Sequence, residues 1–192
     1  VGNQGGDDGF TFLDNTICID LAVSLRNYGE ADIKENRERL IRILNHEYTH
    51  LLHKAWFKEN PIDLKTPLDR ALKDCLVEGF GNYRSLSSKW INEQGILTEE
   101  AKLTLKELQP IFVERLSKLQ FADSKEEETL KQGLSRGQFN KKWGALCVAL
   151  WLAQEANGNE LNLAKWIKLG PKGIISLANK YLPDELKVKF LK

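Results

Sequence analysis

Apolar and polar side chains alternate near the start of this chain, and from about residue 32 the apolar ones recur every three or four positions. In residues 16–21, β-branched Thr16, Ile17 and Ile19 interleave with Cys18 and Asp20, so this stretch reads as a strand; residues 10–13 are a second, shorter extended candidate. Ahead of them Gly2, Gly5, Gly6, Asp7, Asp8 and Gly9 read as a loop. Ile33, Leu40, Ile41, Leu44, Tyr48, Leu51, Leu52 and Ala55 then predict a long helix over 32–58, stopped by Asn60-Pro61. The next helix has a clear start, with Thr66 as N-cap, Pro67 in its first position and Asp69 three residues after the cap. It should run through Glu78 to about residue 86. Further helices are expected over 98–119, bent or broken at Pro110, then over 124–134, and over 140–156 before the stop signal Asn157-Gly158. Shorter ones follow at 161–169 and 172–182, bounded by Gly170-Pro171 and Pro183. The expected fold is mainly α (α+β): residues 1–30 supply loop and strand, and 31–192 are mostly helical.

Composition narrows the possibilities. A chain of 192 residues, 42% hydrophobic and 29% charged, has the profile of one globular domain. Its 28 basic and 27 acidic residues leave no electrostatic footprint for nucleic acid or an anionic membrane surface. The longest apolar run, 145–153, falls well short of the roughly 18–20 residues a spanning helix needs. Cys18, Cys75 and Cys147 lie far apart without a CxxC pair and read as small buried side chains. With Val1 first and no methionine anywhere, the sequence reads as a segment from which something upstream has been removed, which leaves its compartment open.

The chemistry concentrates in the first long helix, at His46-Glu47-Tyr48-Thr49-His50, an H-E-x-x-H pattern. Residues four apart on a helix are separated by only about 40° around its axis, so the two imidazoles can reach one metal ion. Zinc suits neutral imidazole nitrogen and imposes no rigid geometry of its own. Glu47, about 100° around from His46, is placed to work as general base on water rather than as a third member of that row. A tight site needs a third protein ligand. The candidate is Glu78, an acid between Val77 and Phe80 that needs a cation as partner. Gly79 and Gly81 flank Phe80, and each costs roughly 1 kcal/mol relative to alanine inside a helix, which calls for a reason such as close approach of another helix, with a metal clamped between the two. Asn82, one turn after Glu78, could accept the free ring N–H of a ligating histidine; Asp74, one turn before it, is a rival for either role.

His46, Glu47, His50 and a glutamate on the following helix resemble the gluzincin class of metallopeptidases, the thermolysin-like zinc enzymes. A strand, an HEYxH helix, an EGxxxY helix and a terminal helical stretch are similar, more closely, to predicted bacterial zinc-dependent peptidases of poorly known substrate. The resemblance implies a zincin-like helical domain with its small β element beside the active-site helix, one Zn2+, a peptide or protein substrate, and hydrolysis with Glu47 as base. It also implies that the strand ahead of that helix, Thr16, Ile17, Cys18, Ile19 and Asp20, takes extended substrate by β-augmentation, whereas the residues alone fit a core strand equally well. Two departures stand out. Asn82 occupies the position where thermolysin-like enzymes carry aspartate, and no histidine follows His53 to stabilise an oxyanion, leaving Tyr83, Tyr181, Arg84 or Lys142 for that task. A zinc hydrolase of non-protein amides, or a zincin fold that has lost catalysis and serves as a binding module, are the alternative readings.

His53 shares the histidine face but lies about 10 Å along the axis from His46, too far to join the same ion comfortably, so it is expected behind the metal ligands as a support, facing substrate, or on the polar surface. Tyr48, Leu51 and Leu52 are expected in the core, and the five tryptophans (Trp56, Trp90, Trp143, Trp151, Trp166) as packing anchors. Lys125-Glu126-Glu127-Glu128 reads as a solvated helix start.

Overall fold

The structure is a computed structural model that describes residues 8–13, 15–187 and 190. It is mainly helical with a small antiparallel sheet near the N-terminus, and the chain divides after Pro61 into two compact units. None of the described helices is long and apolar enough to cross a membrane.

In the first unit, β1 (Gly9–Phe12) pairs antiparallel with β2 (Thr16–Ile19), in register Gly9↔Ile19 to Phe12↔Thr16. The Asp20 N–H donates to the Asp8 carbonyl at 2.9 Å. Pairs that exchange hydrogen bonds alternate along an antiparallel ladder, so Thr16 and Cys18 direct their backbone groups toward β1, while Ile17 and Ile19 direct theirs to the outer edge. The strand stops short of the predicted residue 21 because Asp20 is a helix cap: its carboxylate accepts from the Ala22 and Val23 N–H groups, both at 3.0 Å, and opens α1 (Leu21–Tyr28). After α1 comes α2 (Lys34–Glu59), within two residues of the predicted helix.

The hairpin packs on one side of α2. A Cβ on Gly9 would sit 2.6 Å from Ile43 Cγ2 and 3.4 Å from Glu47 Cγ, so only glycine lets the strand come this close. Further along, Lys54 Nζ donates to Thr11 Oγ1 at 3.0 Å and to the Leu13 carbonyl at 2.9 Å. The hairpin thus covers the line Ile43–Glu47–Lys54. The apolar positions that marked the helix face away from it: Ile41, Leu44, Tyr48 and Leu52 are 57, 43, 49 and 45% exposed. The expectation that Tyr48 and Leu52 are core positions is therefore corrected, and Leu51 is only half-buried.

The second unit is built around α6 (Trp143–Ala156), in which every residue but Gln154 is buried, as expected of a helix apolar on all sides. Against it lies α3 (Pro67–Arg84), which begins where the sequence signals place it: the Thr66 hydroxyl accepts from Asp69 N–H while the Asp69 carboxylate accepts from Thr66 N–H. A Cβ on Gly79 would lie 2.3 Å from Val148 Cγ1 and 2.7 Å from Val148 Cβ. Close approach of another helix is thus the reason for this glycine: the Val148 side chain of α6 occupies the space a Cβ would take. The helix α4 (Glu99–Leu119) runs through Pro110 as one segment. The next, α5 (Ser124–Leu130), ends four residues before the predicted 134. Its Glu127 is no solvated surface acid: the carboxylate takes a two-pronged contact from Arg70, with Nη2 at 2.6 Å and Nε at 3.0 Å. Trp90, Trp143, Trp151 and Trp166 are buried anchors, and Phe112 meets the Trp151 ring edge-on at 5.0 Å between centroids.

Shorter helices close the unit: α7 (Ala164–Leu169), α8 (Gly173–Tyr181) and α9 (Asp184–Lys187). The Glu155 carboxylate, 2% exposed, ties α6 to the first two of these. It accepts from Trp166 Nε1 at 3.1 Å and the Tyr181 hydroxyl at 2.6 Å, and is paired with Lys165 at 2.8 Å and with Lys180. Burial pushes this carboxyl up, but its four hydrogen bonds outweigh burial and bring the pKa down to about 2. A carboxylate more acidic in the fold than in the unfolded chain stabilises fully above the unfolded value of about 4.3 and loses that contribution as pH falls toward the folded value. Glu155→Gln should therefore cost about 2 kcal/mol in urea unfolding above pH 5, with the difference from wild type shrinking between pH 5 and pH 2. A difference independent of pH would contradict this role.

Candidate metal centre

Helix α2 places His46, Glu47 and His50 together. The two Nε2 atoms face each other at 2.9 Å, with the rings edge-to-face at 89° and centroids 4.5 Å apart. A Glu47 carboxylate oxygen lies within 4.8 Å of a ring nitrogen of each histidine, and Glu47 is buried under the hairpin. One turn of helix accounts for the imidazole pair, and the hairpin side of α2 accounts for the burial of the acid between them. Thr49, also buried, satisfies its hydroxyl locally by donating to the Asn45 carbonyl at 2.7 Å.

This group could hold a metal ion. The donor set passes a simple geometric test. An ion bonded to both nitrogens at about 2.0–2.1 Å would see them about 90° apart at the present separation, and a tetrahedral angle asks for only about 0.4 Å more. Ring nitrogens converging on one point, with a carboxylate close by, form the kind of set that takes a divalent cation and water.

His53 is 5% exposed and stacks on Phe57, with centroids 5.8 Å apart at 24°, so it is a packed ring and not polar surface.

The remaining candidates sit on α3 in the second unit, where Asp74, Glu78 and Asn82 follow one another at four-residue spacing along one face. Glu78 is half-buried. Its carboxyl is raised above the ordinary range, first by burial and also by the neighbouring Asp74 charge, while Lys142, Lys73 and Arg136 oppose the rise. Asp74 is engaged elsewhere: Lys131 Nζ lies 2.6 Å from its carboxylate and also 3.6 Å from Glu127, joining it to the Arg70–Glu127 contact. Asn82 is 1% exposed; its main-chain carbonyl accepts from Ser85 N–H and Ser85 Oγ, and its amide Nδ2 has no hydrogen-bond partner among the described residues. Tyr83 is half-buried, and burial, then Glu160, raises its pKa, so at neutral pH it keeps the proton a hydrogen-bond donor needs. Tyr181 is committed to Glu155. Of the candidate substrate strand, Thr16, Ile17, Cys18 and Ile19 form β2, whereas Asp20 is the cap of α1.

Gly9 and Lys54, which seat the hairpin over Glu47, are not legible as site residues in the sequence. The only signal was a glycine in a glycine-rich loop, which says nothing about what approaches it. The chain matches no family model, no curated protein sequence and no solved structure.

Proposed function

We propose that this chain is a zinc-dependent hydrolase of peptide bonds. The observation that carries the reading is the 2.9 Å approach of the His46 and His50 Nε2 atoms, with the buried Glu47 carboxylate beside them. His46 and His50 would hold the ion through Nε2. Glu78, the acid that the sequence places one helix on, would be the third ligand. Zinc, when bound, supplies a Lewis acid for the substrate carbonyl and makes water acidic enough to attack at neutral pH.

Glu47 carries the proton traffic: a carboxylate oxygen takes a proton from the attacking water and delivers it to the nitrogen of the leaving amine. Its burial under β1 keeps bulk water from competing for that proton. The outward backbone groups of Ile17 and Ile19 would donate to and accept from an extended peptide laid along β2, holding it in register. The Tyr83 hydroxyl is the proposed donor to the oxyanion.

The test is hydrolysis of casein by the purified chain before and after chelation. Removing metal should abolish turnover, stoichiometric zinc should restore it, and His46→Ala should lower zinc affinity at least about 100-fold, so that micromolar zinc restores nothing. Casein hydrolysis that survives both chelation and His46→Ala would exclude the reading, and turnover confined to non-peptide amides would change the substrate class.

A further inference from the structure

The exposed side of α2 carries a second pattern. At about 100° per residue, Ile41, Leu44, Tyr48, Leu52 and Ala55 fall within about 80° of arc, on the side opposite His46 and His50. Leu44 and Leu52 stand at equal distances from Tyr48 in sequence, as do Ile41 and Ala55, and beyond them Arg37 and Glu59. All seven are exposed. Turned end for end, the stripe matches itself: Leu44 falls opposite Leu52, Ile41 opposite Ala55, and the Arg37 cation opposite the Glu59 anion, over about 33 Å of helix.

We propose that two copies of this chain pair through α2, antiparallel, about a twofold axis at Tyr48. A self-complementary patch is what a twofold interface requires. Each Arg37 meets the partner's Glu59, which rejects the parallel arrangement, where Arg37 would meet Arg37. Antiparallel pairing also sets the positive end of each helix dipole beside the negative end of the other. The two Tyr48 rings meet at the axis, the place where a buried aromatic contributes most. The histidine face of each copy points away from the contact.

The register makes the test sharp. Sedimentation velocity of the full chain should show a dimer at micromolar concentration. Leu44→Glu, which places a charge opposite the partner's Leu52 twice per dimer, should weaken it at least about 100-fold while circular dichroism stays helical. With Cys18→Ser in every variant, mild oxidation of Tyr48→Cys should give a disulfide dimer on a non-reducing gel. Ile41→Cys alone should not, and Ile41→Cys combined with Ala55→Cys should. A chain that is monomeric throughout, even with the stripe protected from solvent labelling by some other occupant, would overturn the proposal. So would a dimer that Leu44→Glu leaves intact, or Ile41→Cys crosslinking as readily as Tyr48→Cys.

Discussion

Glu47→Gln is expected to retain zinc within about a factor of three of wild-type affinity and to lower kcat/KM for casein by about 10³-fold, within the range a positioned general base contributes. The amide keeps the size and burial of the side chain but has no basic oxygen, so the loss should appear in kcat with KM little changed. Unlike removal of an imidazole, it leaves the 2.9 Å nitrogen pair in place. Competition titration with a zinc-sensitive dye, run beside the kinetics, separates the two effects. Wild-type turnover with bound zinc would remove Glu47 from the reaction.

The second large effect concerns stability. Gly79→Ala should destabilise the fold by about 3 kcal/mol, although alanine is the better helix former by about 1 kcal/mol. The new methyl would fall 2.3 and 2.7 Å from two atoms of Val148, a β-branched side chain with little rotamer freedom in α6. Val148→Ala removes one of the colliding groups, so the double variant should be less destabilised than the sum of the singles. Urea unfolding of the four proteins gives the coupling directly. An additive cycle, or a Gly79→Ala variant as stable as wild type, would show that α3 and α6 are not this close.

Local chemistry read correctly from the sequence where one short segment determines the outcome. Thr66, Pro67 and Asp69 fixed the start of α3, because each satisfies or dispenses with a backbone N–H there. The His46–His50 pair needed only a helix. What failed depended on partners that periodicity does not encode. The three-and-four spacing of Ile41, Leu44, Tyr48 and Leu52 located α2 but said nothing of which side the hairpin covers, and Gly9 and Lys54 decide that. Asp20 fitted the alternation of a strand, yet two N–H groups of α1 claim its carboxylate. Asp74 looked available beside Glu78 until Lys131, nearly sixty residues on, came to pair with it. Gly79 signalled a close neighbour without naming it.

The most direct test is crystallographic: anomalous diffraction at the zinc edge from crystals of the chain grown with zinc and washed free of excess. One strong peak is expected about 2.0–2.1 Å from both the His46 and His50 Nε2 atoms, absent from His50→Ala crystals. Crystals without zinc at that position, or with zinc bound by other side chains while the two imidazoles stay hydrogen-bonded to each other, would contradict it.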